Sequence, residues 1–139
     1  MDLEADSTLS FEFQIEEAGD MPVLLSHGAW QIDGWFVQIL GGRLVIRTPQ
    51  ADANGPVVQT GKWYKVRWEL SGQEHRLLVN GEEVQPFAPL RMKPAERTLR
   101  IGQYEQIEPR YRFHGTLRNL RIETREPQLI LKPAKQGSP

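Results

Sequence analysis

The chain contains no cysteine, which excludes disulfide staples and thiolate zinc sites and leaves packing and hydrogen bonding to hold the fold. That absence suits the cytosol and a bacterial exterior equally, so it does not fix the compartment. No apolar run approaches the roughly 18 residues a helix needs to cross a bilayer. The opening Met1-Asp2-Leu3-Glu4 has neither the basic nor the apolar part of a secretory leader. The expectation is a soluble chain without membrane insertion. Also missing is any stretch of ten or more positions with apolar residues at three-and-four spacing, so no substantial helix is expected. Lys and Arg are absent from the first 33 residues, where Asp and Glu number eight.

What is present suits one folded domain. The 139 residues leave no room for a second well-packed core, and Leu, Ile, Val and Phe make up enough of the chain to build the first. Net charge is −1, which gives no reason to expect nucleic acid or an anionic membrane as partner. Charge is uneven along the chain, however. Residues 91–125 carry nine Lys and Arg against four Glu, opposite in sign to the acidic start. If the first strand lies beside the last, Glu12 and Gln14 meet Arg118 or Arg121, and each opposite-charge pair contributes roughly 0.2 to 1 kcal/mol.

Alternation over five to eight residues recurs throughout and indicates an all-β fold. Phe11, Phe13 and Ile15 share one face of a first strand, Leu9 to Ile15. Val23, Leu24 and Leu25 are all apolar, as expected of a strand covered on both sides. Trp35 to Leu40 and Arg43 to Thr48 flank Gly41-Gly42, a hairpin turn, with Leu44 and Ile46 inward and Arg43, Val45 and Arg47 on the other face. Ala51 to Pro56 reads as a loop from its Asn-Gly and Pro content. Tyr64, Val66, Trp68 and Leu70 form the inner face of the longest alternating run, and Asn80-Gly81 turns His75–Val79 back into Glu82–Gln85. The prolines between 86 and 94 exclude a central strand, and 91–97 could form one helical turn. Leu99 to Gly102 resumes a strand. Residues 111–123 read as two strand pieces around His114-Gly115, with Phe113, Leu117, Leu120 and Ile122 inward. A bulge near Arg118-Asn119 reconciles the three-residue step from Leu117 to Leu120. The domain is expected to span 1–126, with 127–139 a strand end and flexible tail. Short strands separated by glycine turns imply two packed antiparallel sheets, a sandwich in preference to a barrel.

Gly61-Lys-Trp-Tyr-Lys-Val-Arg-Trp-Glu-Leu-Ser-Gly72, then Arg76-Leu-Leu-Val-Asn-Gly-Glu-Glu-Val84, resembles the laminin-G-like branch of the concanavalin A-like lectin and glucanase superfamily. Leu99-Arg-Ile-Gly102, the run Phe113–Ile122 and the opening Leu9-Ser-Phe-Glu-Phe13 are similar to its closing and first motifs. The resemblance covers about residues 8–124 and implies a two-sheet jelly-roll sandwich. It further implies a carbohydrate-binding or adhesive module tethered to other domains of a secreted or surface protein. Where many members have Ile-Asp before the final strand this chain has Leu117-Arg118, so no acidic role carries over to that position.

Catalytic patterns are absent from the sequence. A retaining glucanase needs two carboxylates about 5 Å apart, usually in a Glu-x-Asp-x-Glu strand, and no such strand occurs. Glu105 and Glu108 form the nearest pair, in a loop. His27, His75 and His114 are too dispersed to gather around a metal and are read as surface or turn residues. The galectin constellation of His, Asn, Arg and Trp-x-x-Glu-x-Arg is missing. No cofactor is required by any motif; calcium near Asp20 and Asp33 is the one alternative, resting on their hard oxygen donors.

Sugar binding by surface aromatics remains. A Trp or Tyr ring offers a flat apolar face to a pyranose while amides and guanidinium groups bond its hydroxyls. The candidate ligand residues are Trp30 and Asp33 in the loop 27–33, Gln103, Tyr104 and Tyr111 around the later loop, and Arg43 and Arg47 as a basic floor suited to acidic oligosaccharides or polysaccharides. Trp35 and Trp68 are assigned to the core and Trp63 to packing at a strand start. The alternative is a structural or protein-interaction sandwich with no sugar site. Clustering of Trp30, Tyr104 and Tyr111 on one exposed rim distinguishes the two.

Overall fold

The computed structural model describes residues 6–17, 19–91, 98–104 and 107–124. Ten strands build two antiparallel sheets: β1 (Ser7–Glu17), β2 (Val23–Ala29), β3 (Asp33–Leu40), β4 (Arg43–Arg47), β5 (Asp52–Val57), β6 (Trp63–Ser71), β7 (Glu74–Val79), β8 (Glu82–Pro89), β9 (Arg100–Ile101) and β10 (His114–Thr124). The first sheet runs β10-β1-β6-β7-β8 and the second β5-β4-β3-β2-β9. This is the all-β two-sheet sandwich expected from the alternation, with the jelly-roll form that the resemblance implies.

The core lies between the sheets. Phe11, Phe13 and Ile15 of β1, Tyr64, Val66 and Trp68 of β6, and Leu77 of β7 pack against Trp35, Val37 and Ile39 of β3 and Leu44 and Ile46 of β4. Trp35 and Trp68 are both closed to solvent, and their ring centroids lie 6.1 Å apart. Both hairpin turns take the mirror-image form that matches strand twist: Gly41 and Gly42 have φ of 59° and 78°, Asn80 and Gly81 of 54° and 81°.

β1 pairs with β10, the arrangement under which the charge pattern brings opposite signs together, and Glu12 stands opposite Arg118 with an Arg118 Nε to Glu12 Oε1 bond of 3.0 Å. The register slips between Ser10 and Glu12, and Asn119 on β10 adopts φ 56°, so the bulge sits where period two fails. Trp63 is half-buried, with the Arg118 guanidinium 3.8 Å from its ring centroid.

Several expectations are corrected. Ala51 to Pro56 is largely strand: β5 is the outer strand of its sheet, where a missing N–H at Pro56 leaves no ladder bond unmade. For the same reason β8 continues through Pro86 to Pro89 on the edge of the first sheet. The segment 27–33 is not a long loop, because His27, Gly28 and Ala29 remain in β2 and only Trp30–Ile32 turn. β9 is shorter than the expected Leu99–Gly102. Residues 109–111 form a 3-10 turn, and β10 is one strand rather than two.

His27 and His75 are buried, not surface residues. His75 falls on the inward parity of β7 with Leu77 and Val79, and its Nδ1 accepts the Trp68 Nε1–H at 3.1 Å. His114 is exposed as expected. The tail 127–139, the expected helical turn within 92–97 and Glu105 lie outside the described residues.

Candidate functional site

The second sheet turns Phe36 and Gln38 of β3, Arg47 of β4 and Val23 of β2 away from the core. Two of these are apolar and need cover. Tyr104 supplies it: its ring lies 5.0 Å from Phe36 and 5.0 Å from Tyr111, and it joins Val23 and Phe36 in a small second hydrophobic cluster. Val23–Leu25 is thus covered on both sides, as its unbroken apolar run predicts.

The loop that carries these tyrosines is fastened to β2 and the residues before it. Gly102 N–H donates to Leu24 O at 2.7 Å, Ser26 Oγ to Gln103 O at 2.9 Å, and Met21 N–H to Arg110 O at 2.8 Å. The opposing wall is the β2–β3 turn. Ile32 N–H closes it on Ala29 O at 3.0 Å, and the Asp33 carboxylate accepts Ala29 N–H at 3.2 Å. Gln31 takes φ 62° at its tip. Gly28 is obligatory beneath this turn, since a Cβ there would stand 2.3 Å from Asp33 O and 2.5 Å from Trp35 N. Loop and turn meet where Trp30 N–H donates to the Tyr104 hydroxyl oxygen at 2.6 Å.

Between them runs a groove of about 300 Å3, lined by Trp30, Phe36, Gln38, Arg47, Tyr104 and Tyr111 together with Met21 and Arg110. The Trp30 side chain is the open aromatic surface here, 53% exposed, whereas Tyr104 is 7% exposed and presents little beyond its edge. Two guanidinium groups flank the aromatics. Arg47 lies 5.3 Å from the Trp30 ring centroid and Arg110 4.9 Å from that of Tyr111. Each has a nearby carboxylate that tempers its charge: Arg47 Nε is 3.5 Å from Asp52 Oδ1, and Arg110 Nε is 3.1 Å from Glu108 Oε1. The Arg47 contact lacks hydrogen-bond geometry, so its buried Nε–H keeps an unused donor. The arrangement can stack a flat apolar ligand face on Trp30 and bond acceptor oxygens from either rim.

Of the seven residues singled out in the sequence, the fold brings Trp30, Arg47, Tyr104 and Tyr111 together. Asp33 lies beneath the turn, where its carboxylate is a backbone cap. Arg43 shares the face of Arg47 but sits four residues away on β4, donating from Nη1 to Gly55 O at 2.9 Å. Gln103 borders a neighbouring cleft with Ile101, Ile107 and Tyr111 instead. Asp20 lines a cleft with Ile39 and Gly42, at the opposite end of β3 from Asp33, so the two carboxylates do not converge. Among the described residues no three His, Asp or Glu side chains gather as metal ligands would.

Phe36, Gln38 and Arg110 were missed. Phe36 had a signal, because Trp35-Phe36-Val37 is apolar at consecutive positions and one parity must face outward. Arg110 had none, as its place depends on the backbone bond to Met21.

The model of the laminin G domain matches residues 20–125. A comparison with curated protein sequences returns no significant match. Among solved structures, domains LG4-5 of the mouse laminin alpha1 chain superpose with a TM-score of 0.68 at 20% identity, over 88% of this chain and 36% of that one. The chain thus spans about a third of that laminin structure. The carbohydrate binding module CBM66 from Bacillus subtilis superposes with a TM-score of 0.54 at 11% identity, covering 87% of this chain and 76% of its own. Sheep galectin-11, solved with glycerol, gives 0.54 at 9% identity over 88% and 93%. At these identities the superpositions speak for the fold. The family match, which takes in well over half the sequence, goes further: the chain belongs to the laminin G domain family.

Proposed function

We propose that the chain is a non-catalytic glycan-binding module of a larger secreted or cell-surface protein, and that it holds its ligand in the groove beside Trp30. The observation that carries this reading is the half-exposed Trp30 ring with the Arg47 guanidinium beside it, facing Tyr111 and Arg110 across one groove. A pyranose stacks its C–H face on the indole, and the guanidinium groups bond its hydroxyl or carboxylate oxygens. Two such groups favour acidic over neutral sugars. Kinship with laminin G domains and the fold shared with a named carbohydrate binding module support a binding role for the sandwich. The laminin G kinship also supports an extracellular setting. Among the described residues no helix is long and apolar enough to cross a membrane.

A glycan array probed with the intact chain tests the proposal. Binding to acidic oligosaccharides that Trp30→Ala removes supports it; silence across neutral and acidic glycans sinks it. One observation favours a second reading, a protein-interaction sandwich without a sugar site. Tyr104 and Phe36 are buried against each other and leave Trp30 as the most open ring of the groove. Protein capture that survives Trp30→Ala, with a silent array, would establish that alternative.

A further inference from the structure

Each sheet ends in two outer strands, whose outward N–H and C=O groups have no partner strand among the described residues. Such edges invite pairing with another chain unless they are interrupted or kept short. Three of the four are. β5 carries Pro56, β8 carries Pro86 and Pro89 with two breaks in register, and β9 is two residues long. β10 differs: it is eleven residues long, contains no proline, and has Leu117, Leu120 and Ile122 rather than a charge on its core-facing side. The outer face beside it is a shallow trough of about 570 Å3, lined in part by Arg121.

The bulge at Arg118-Asn119 interrupts β10 once. Beyond it, residues 121–124 pair with 10–7 of β1 without a break, so this end of the edge is regular. Leu120 and Ile122 lie half-buried on the core side, while Arg121 and Glu123 stand exposed on the outer side. Neither Arg121 nor Glu123 forms an ion pair with another described residue. The order Arg121-Ile122-Glu123 is its own complement when a second copy runs antiparallel to it. A two-fold axis through Ile122 sets Ile122 opposite itself, each Arg121 opposite Glu123 of the other copy, and each Leu120 opposite Thr124. Moving the axis by one residue brings Arg121 against Arg121 or Glu123 against Glu123, and moving it by half a residue sets core-facing against outward side chains. Charge and face together select one register.

We propose that residues 120–124 of β10 are a self-association edge, through which two copies of this chain join their first sheets into one continuous antiparallel sheet about a two-fold axis at Ile122. A second copy fits better than an unrelated extended peptide, because the edge itself supplies both halves of each charge pair. The contact is isologous, so it closes at two copies. It takes in about 17 Å of strand from each, which is small, and the dimer is therefore weak and reversible. Each dimer presents every other surface of the sandwich twice, a bivalent arrangement whatever those surfaces bind. The Trp30 groove lies on the other sheet, and the association stands whether or not that groove binds sugar.

Sedimentation equilibrium of the intact chain, from about 10 µM to about 1 mM, tests it. A monomer–dimer equilibrium is expected, with amide protection across 120–124 rising as dimer accumulates. Arg121→Glu alone and Glu123→Arg alone each set like charges opposite one another twice, and each weakens the dimer about tenfold or more. Arg121→Glu combined with Glu123→Arg in one chain restores it. Mixing the two single variants restores it as well, since every pair across the axis is then unlike. Should one single variant fail to fold, the other still gives the reading. A chain that stays monomeric throughout overturns the proposal and leaves the edge to a strand of different sequence. A dimer that ignores both single substitutions overturns it too, as does one that neither the double variant nor the mixture restores. Assemblies larger than a dimer also overturn it, because a two-fold contact closes.

Discussion

On the outer face of the second sheet, Val23 and Phe36 lie under a roof made by Tyr104 and Tyr111, whereas on the first sheet Glu12, Arg67, Glu69, Arg76 and Arg118 bond within the sheet, with no loop above them among the described residues. The difference follows from the side chains each face exposes. An apolar outer face must be covered, and the cover creates a groove with two walls. A charged face can satisfy itself across strands, so it stays open and shallow. One molecule therefore shows two routes to a concave surface, one depending on long-range loop placement and one on strand register alone.

The strongest way to separate the two faces is to break each at its glycine. Gly28→Ala drives a Cβ into the β2–β3 turn backbone, and Gly115→Ala drives one to 2.0 Å from Gln14 O in the β1–β10 ladder. Each is expected to lower stability by about 3 kcal/mol, as forced overpacking does, measured by urea unfolding. Native-state hydrogen exchange should place the damage in the second sheet for Gly28→Ala and in the first for Gly115→Ala.

Next in size is Trp30→Ala. An exposed ring contributes little to the fold, so the unfolding free energy should move by less than about 0.5 kcal/mol. Affinity for an acidic oligosaccharide in the groove should fall about thirtyfold, as expected for a dominant aromatic anchor.

Acid should also distinguish the faces, because the carboxyl and imidazole shifts found among the described residues all belong to the first sheet. Burial holds His75 below the ordinary 6.5. The unfolded chain then takes up the proton first, so stability falls as pH drops through 6.5 and on through the folded value. Protonation also gives Nδ1 a hydrogen where it accepts from Trp68. Glu12 is held below 4.5, chiefly by its bonds from Asn119 and then Arg118. For Glu69, burial pushes the carboxyl up, but the bonds from Arg67 and Arg76 outweigh it and the group also sits below 4.5. Their contribution is complete above 4.5 and disappears as pH falls through the folded values. Hydrogen exchange between pH 7 and 4 should show β1, β6 and β7 losing protection before β3 and β4; simultaneous loss would refute this ordering.

The smallest effect sharpens the reading of Asp33. As a cap on Ala29 N–H, its replacement by Ala should cost about 1 kcal/mol, and by Asn much less, since the amide oxygen still accepts. A ligand-binding carboxylate would instead lose affinity in both variants.

Strand faces were legible in the sequence because period two is a local property: Phe11, Tyr64, Val66 and Leu44 are buried as their parity requires. The β1–β10 pairing was legible as well, through complementary charge. Asn54-Gly55 was misread because a turn signal describes four residues, while strand or turn was decided here by the neighbouring β4. Burial of His75 was visible in its parity with Leu77 and Val79, but not its partner, since Trp68 comes into reach only once β6 and β7 align. At the site, Trp30 and Arg47 could be named from residue type. That Tyr104 is structural, and that Arg110 joins the rim, follow from bonds between residues more than seventy positions apart.

Three of the hydrogen bonds that fasten the later loop end on the short segment from Met21 to Ser26, and another joins Tyr104 to Trp30. The roof therefore serves both recognition and stability, since Tyr104 walls the groove and also covers Val23 and Phe36. Exchanging it for another of similar length, with Gly102, the residue 103 carbonyl, the residue 110 carbonyl and the ring at 104 kept, should yield modules with new preferences that melt close to the parent.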